Sequence, residues 1–166
     1  MNTTAVLDGI LEREGPGTPP YQALNDRGGR TAWGISERAH PEAWRPGPPT
    51  KAQAREILVS YYVAPFQPLR GYLQDELFEA VVDDAVMSGA GAAMKRLQWV
   101  LGMDMDGVAG PKTIEAVKVQ NGPRLQRRYV VERAIRIARL VQHDPTQVTN
   151  LVGWLTRILG FLPVAQ

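Results

Sequence analysis

The chain has 166 residues, 44% of them hydrophobic and 22% charged, with no cysteine. That length fits one domain, or a domain with a small appendage, and supports a core without metals or crosslinks. The missing cysteine excludes disulfide scaffolds, Cys-ligated metal sites and cysteine nucleophiles, and a net charge of +2 is far from a nucleic-acid-binding profile but suits a partner of dispersed negative charge, such as a bacterial envelope polymer.

The two histidines, His40 and His143, lie far apart and outside any HExxH-like spacing, so neither a metal site nor a cofactor is expected. No apolar run reaches the length of a transmembrane helix. The N-terminus, MNTTAVLDGILEREG, has no positive leader, and acids interrupt its apolar stretch. It reads as an amphipathic helix rather than a signal peptide.

Val6, Leu7, Ile10 and Leu11 form one face of that first helix, which Gly15-Pro16 stops. Residues 15 to 50 are so rich in Gly and Pro that a long helix there is excluded, with a short ribbon near Thr31 to Ile35. The interleaved Tyr21, Trp33, Ile35 and Trp44 point to an ordered, functional loop region. Thr50-Lys51-Ala52-Gln53 is a capping-box signature. The helix it opens carries Ile57, Leu58, Tyr61 and Tyr62 and ends before Pro65. Leu77, Phe78, Val81, Val82 and Ala85 predict a second helix ending near Gly89. Met94, Leu97, Gln98 and Leu101 predict a third, closed by Gly102. Gly110-Pro111 opens a fourth. A long helix follows from Pro123 to about Gln142, with Val130, Ala134, Ile137 and Val141 inward. Asp144-Pro145 begins the last, with Val148, Leu151, Val152, Leu155 and Leu159 on its packing face. The expected fold is mainly α, with a small loop- and ribbon-rich N-terminal lobe and a helical C-terminal lobe.

The chemistry concentrates in Glu14-Gly15 and in Asp26-Arg27-Gly28-Gly29-Arg30-Thr31-Ala32-Trp33-Gly34-Ile35-Ser36. An acid at a helix end precedes a glycine-rich turn holding a second acid, a hydroxyl and an indole. This set suits glycosidic hydrolysis: one carboxylic acid protonates the leaving oxygen, and a second carboxylate positions water or stabilises the oxocarbenium-like transition state. Thr31 can help hold that water, and Trp33 offers a flat face to a sugar ring. Taken singly, these residues have plainer readings: a surface acid, a turn Asp and core aromatics.

The run resembles the N-terminal signature of glycoside hydrolase family 108, lysozyme-like N-acetylmuramidases of phages and Gram-negative bacteria. The downstream half resembles the peptidoglycan-binding segment that follows in such proteins. Its motifs correspond here to Asp83-Asp84-Ala85-Val86-Met87-Ser88-Gly89, Leu97-Gln98-Trp99-Val100-Leu101-Gly102, Asp106-Gly107-Val108-Ala109-Gly110-Pro111-Lys112-Thr113 and Gly153-Trp154-Leu155-Thr156-Arg157. The resemblance covers about residues 5 to 160. It implies Glu14 as catalytic acid, with Asp26 and Thr31 orienting water; Glu12 would point off the other side of the helix. Candidate substrate contacts on or beside the motifs are Tyr21, Trp33, Tyr61, Tyr62 and Gln98. Three departures stand out. Pro16 to Tyr21 adds about three residues before Asp26, Met87 replaces a common Asn, and Tyr61-Tyr62 replaces Tyr-Trp.

Arg124, Arg127, Arg128, Arg133, Arg136 and Arg139 share one helix. They make either a solvated face or a cationic surface for an anionic envelope. Arg133, at the edge of the inward face, has a second option: pairing with a buried acid such as Asp83 or Asp84. Asp104 and Asp106 resemble half a calcium loop, but position 6 from Asp104 is Ala109, so a turn with a helix cap is preferred.

The expected organisation is a catalytic lobe over residues 1–85 and a helical peptidoglycan-binding lobe over 86–166, packed as one compact monomer. The expected activity is that of a lysozyme cutting the β-1,4 bond between N-acetylmuramic acid and N-acetylglucosamine. A phage endolysin, made in the cytoplasm and released through a holin to the periplasm, is the expected setting. A bacterial secretion-associated muramidase, a non-catalytic peptidoglycan-binding or secretion-assisting protein and a lytic transglycosylase are the alternatives.

Overall fold

The computed structural model describes Gly9, Leu11 and residues 30–163. Glu12, Glu14, Tyr21 and Asp26 lie outside the described residues. Gly9 and Leu11 are helical and Leu11 is buried, as the first amphipathic face requires. The structure is mainly helical, and the chain divides into two compact units, residues 1–64 and 65–166.

The first unit holds a two-stranded ribbon, β1 (Thr31–Ala32) and β2 (Ile35–Ser36), paired antiparallel with Ala32 opposite Ile35 and Thr31 opposite Ser36. Trp33 and Gly34 form the turn, both left-handed at φ 54° and 76°. Two positive φ angles in a two-residue hairpin match the twist of the strands. Gly34 adopts this conformation freely, whereas Trp33 does so against its Cβ. Ala32 and Ile35 face the core beside Trp44, which lies on the short helix α1 (Pro41–Trp44) and whose indole N–H donates to the Ile35 carbonyl at 3.3 Å.

Helix α2 (Lys51–Ile57) opens with the expected capping box: Thr50 Oγ1 accepts from the Gln53 N–H at 3.3 Å, and Gln53 Oε1 accepts from the Thr50 N–H at 2.9 Å. The sequence predicts one regular helix up to Pro65. The structure instead loosens to a π-helical stretch at Leu58–Val63 and tightens to a 3₁₀ stretch at Ala64–Leu69. Ser60 Oγ bonds back to the Glu56 and Ile57 carbonyls at 2.8 and 3.3 Å, a competitor for the regular ladder. Widening the turn rotates the residues after it, so Tyr61 reaches solvent at 60% exposure instead of joining Leu58 in the core.

In the second unit, α3 (Asp75–Ser88) and α4 (Ala90–Leu101) form a hairpin about Gly89, whose φ of 90° suits glycine. Leu77, Phe78, Val81, Val82 and Ala85 meet Met94, Leu97 and Leu101 in its core. Gly102 ends α4 in the left-handed conformation. Helix α5 (Pro111–Gln120) starts on its proline, and α6 (Pro123–His143) packs against α4 and against α7 (Val148–Leu159).

The last helix differs from expectation. Pro145–Gln147 is a separate 3₁₀ turn, and α7 begins only at Val148. Its apolar residues do not all pack: Val148 and Val152 are 56% and 74% exposed, and Ile158 is the buried one. Its main neighbour is α6, and one neighbour covers a narrow stripe of a helix, not a broad face. Among the described residues, no helix is long and apolar enough to cross a membrane.

Candidate functional site

The first unit gathers Thr31, Trp33, Tyr61 and Tyr62 on the ribbon and the π-helical stretch. Thr31 and Trp33 are half-buried on either side of the buried Ala32. The ribbon base is closed by Arg30, whose guanidinium makes a bidentate pair with Glu37 at 2.8 and 2.6 Å and sits 5.0 Å over the Trp44 ring. The Glu37 N–H also donates to the Arg30 carbonyl at 2.8 Å. At the tip, Lys51 Nζ lies 5.5 Å over the Trp33 ring. The tip that carries Trp33 is thus tied to the start of α2.

Tyr61 and Tyr62 flank His40. The His40 ring meets both edge-on, at centroid distances of 5.0 and 5.7 Å, and its Nε2 is 2.7 Å from the Tyr62 hydroxyl. Burial pushes the imidazole below its ordinary pKa and the Tyr62 phenol above its own. Both groups therefore favour their neutral forms. The structure brings Tyr61 and Tyr62 together, as a surface of aromatic edges and hydroxyls, and adds His40 to them. Sequence reasoning weighed His40 only as a metal ligand. Its neighbour Pro41 at the start of α1 was the signal that the residue lies at a helix entrance.

The second unit shows what the downstream motifs do. Gln98 is 1% exposed. Its Nε2 shares its hydrogens among Asp106 Oδ1 at 2.6 Å, the Val108 carbonyl at 3.0 Å and Thr113 Oγ1 at 3.1 Å, and its Oε1 accepts from the Gly107 N–H at 2.8 Å. The amide is engaged at both ends within the loop 102–110. Asp106 also accepts from the Val108 N–H at 2.8 Å, and these hydrogen bonds hold its carboxyl below the usual range. The Asp106-Gly107 turn is a loop fastened to Gln98. Among the described residues, no group of three or more His, Asp or Glu converges as a metal would need.

Asp83 and Asp84 are buried on α3 and hold the helices together. Arg133 Nη2 donates to Asp83 Oδ2 at 2.8 Å, and Nη1 donates to the Ala80 carbonyl at 3.1 Å. Arg157 Nε donates to Asp83 Oδ1 at 3.0 Å. Asp84 pairs with Arg96 and accepts from the Tyr129 hydroxyl at 2.6 Å and Ser88 Oγ at 2.9 Å. Burial, then the Asp84 charge, raises the Tyr129 phenol well above its ordinary value, so it remains a donor. Arg133 therefore takes the buried pairing that its position allows, while Arg124, Arg127, Arg128, Arg136 and Arg139 are exposed. Met87, in place of the common Asn, puts its sulfur 3.4 Å from Arg133 Nη2.

The hairpin lobe and the helical unit define a mainly helical, lysozyme-like protein. Residues 7–89 match the family model described as Glycosyl hydrolase 108, and residues 92–159 match the one described as Predicted Peptidoglycan domain. The first match takes in half of the chain, which belongs to glycosyl hydrolase family 108. The chain is also similar to the solved structure of Brucella abortus SagA. Sequence identity is 25% and the TM-score 0.69, over 98% of this chain and 96% of that one. No curated protein matches the chain. The protein is a glycoside hydrolase, and its two matched segments make peptidoglycan its substrate.

Proposed function

We propose that the protein is an N-acetylmuramidase that hydrolyses the β-1,4 bond between N-acetylmuramic acid and N-acetylglucosamine. The family match over residues 7–89 carries this reading, because it spans Glu14, Asp26 and Thr31 in one stretch. Glu14 serves as general acid to the leaving oxygen. Asp26 and Thr31 orient the attacking water, an inverting arrangement. Trp33 and the Tyr61–Tyr62 pair offer rings to the glycan, and the tethered ribbon tip supports this use of Trp33.

The test compares wild type with Glu14→Gln on purified sacculi. Wild type releases new reducing ends, and the variant releases none. Equal release by both removes Glu14 from the mechanism. Anhydro products from wild type point to a lytic transglycosylase instead, and binding without cleavage by wild type points to a non-catalytic wall-binding protein.

The setting we propose is lysis at the end of phage growth, with release from the cytoplasm through a holin. Co-expression in a Gram-negative host then gives lysis only when a holin is present. The bacterial origin of the Brucella abortus neighbour supports a second setting, a muramidase that a bacterium uses on its own wall.

A further inference from the structure

A cleft of about 700 Å³ lies in the second unit, along α4 and α6 and the loop between α4 and α5. Two features of its lining do not belong to a simple packing defect. The first is an exposed apolar platform. Trp99 is 55% and Met105 50% exposed, although Val100 and Leu101 beside Trp99 are buried. The second is an excess of positive charge. Lys95, Arg136 and Arg139 line the cleft against one acid, Glu132. Arg136 and Arg139 have no ion pair among the described residues, whereas the lining residue Arg96 is committed to Asp84. The Lys95 stem lies across Gly107: a Cβ there would come within 3.3 Å of Lys95 Cε, and the φ of 80° already favours glycine. The missing side chain gives the Lys95 stem its seat.

These features select a ligand with two chemistries at once. A neutral polysaccharide would use the indole and leave the cations idle. An anionic lipid surface would use the cations on a flat face and needs no cleft. A peptide-bearing glycan supplies both a pyranose face for Trp99 and stem-peptide carboxylates for the guanidinium groups. Every lining residue falls within residues 92–159, the segment matched by the peptidoglycan model.

We propose that this cleft is a binding site for peptide-substituted glycan, with Trp99 stacking on a sugar ring and Lys95, Arg136 and Arg139 pairing with stem-peptide carboxylates. The inference rests on peptidoglycan being the substrate and assigns the place and chemistry of its retention on the second unit. Holding the polymer there raises the local concentration of scissile bonds around the enzyme.

The test titrates a soluble disaccharide-tetrapeptide into the full chain carrying Glu14→Gln, by calorimetry. Trp99→Ala and the pair Arg136→Glu/Arg139→Glu each weaken binding about tenfold or more, as buried Trp and Arg anchors do. Trp99→Tyr keeps a ring and loses less. The disaccharide without peptide binds more weakly and ignores the arginine pair. Arg124→Glu/Arg127→Glu, an equal change of charge elsewhere on α6, binds as the parent does. Loss by that control as large as by the cleft pair overturns the proposal, as does full binding by Trp99→Ala. Arginine-dependent binding to phosphatidylglycerol vesicles with muropeptide binding intact also overturns it and assigns the face to lipid. Because hydrolysis plays no part in this titration, a wild type that releases no reducing ends would defeat the proposed activity while leaving this result standing.

Discussion

Arg157 Nε lies 3.0 Å from Asp83 Oδ1, across 74 positions of sequence. One belongs to the Gly153–Arg157 motif and the other opens the motif on α3, so two separate sequence motifs are the two ends of one ion pair. Arg133 reaches the same carboxylate from α6. A single buried acid thereby fixes three helices, and Asp84 beside it fixes Arg96 and Tyr129.

Removing Arg133 leaves this acid pair short of a buried counter-charge, with Asp83 fully buried. Arg133→Ala is expected to cost about 3–5 kcal/mol, in the range for breaking a buried pair from one side. Arg157→Ala costs less, because its side chain is 19% exposed and water can take its place. Urea titration of the full chain, following the helical signal, reads the order. Equal midpoints for the two variants would sink the assignment of Arg133 as the main counter-ion.

Gln98 and Thr113 form a second long-range tie; Gln98→Ala takes the acceptor from the Gly107 N–H and one partner each from Asp106 and Thr113, which keep their bonds to Val108. The expected loss is about 1–3 kcal/mol, the range for leaving one polar donor without its partner. Faster amide exchange should appear at Gly107 and Val108 first, ahead of α3. Protection unchanged at those two amides would show that the loop holds itself.

Much of this was legible in the sequence, for physical reasons that vary by element. Helices α3 and α4 announce themselves because both faces of their hairpin are decided by apolar periodicity, and Gly89 and Gly102 mark the breaks. The capping box at Thr50 is a local device, readable from four residues. The buried partner of Arg133 could be guessed because a cation on an inward face needs an acid. The role of Gln98 in holding the loop 102–110 could not, since an amide gives no sign of which loop will consume its hydrogen bonds. The π-helical stretch at Leu58–Val63 also escapes periodicity, because one widened turn leaves the residue types unchanged. The exposed Val148 and Val152 escape it for the opposite reason: periodicity finds an apolar stripe but not how much of it a neighbour covers. At the site itself, the Thr31–Ser36 ribbon follows from Gly34 and alternation, whereas the meeting of His40 with Tyr61 and Tyr62 depends on tertiary packing alone.

The turn at Trp33 and Gly34 gives a prediction in which stability and activity part. Gly34→Ala places a Cβ at φ 76° and is expected to cost about 1–2 kcal/mol. Trp33→Gly relieves the strain at φ 54° but frees the unfolded chain and gives up a half-buried ring, so the melting temperature is expected to change little. The same change removes the ring beneath Lys51 and, on the proposed function, slows release of reducing ends from sacculi. A Trp33→Gly protein that keeps full hydrolysis would show that the indole serves the fold only.

His40 gives the pH dependence of the first unit. Burial holds its imidazole below the ordinary range, so the folded chain binds that proton less readily than the unfolded chain. The unfolded ring takes up its proton near pH 6.5. Between that point and the lower folded value, the unfolded state carries more protons, so stability falls as pH drops. Above about pH 6.5 the contribution is complete and flat. Protonation fixes Nε2 as a donor, so the Tyr62 hydroxyl, 2.7 Å away, can then only accept from it. Melting temperatures from pH 7.5 to pH 5 should therefore decline for wild type and decline less for His40→Gln, which keeps a polar partner but has no proton to bind. Histidine ring resonances followed by NMR give the independent check: His40 should titrate below its unfolded value. Parallel curves for wild type and variant, with His40 titrating at or above the ordinary value, would separate the Tyr62 contact from any control by pH.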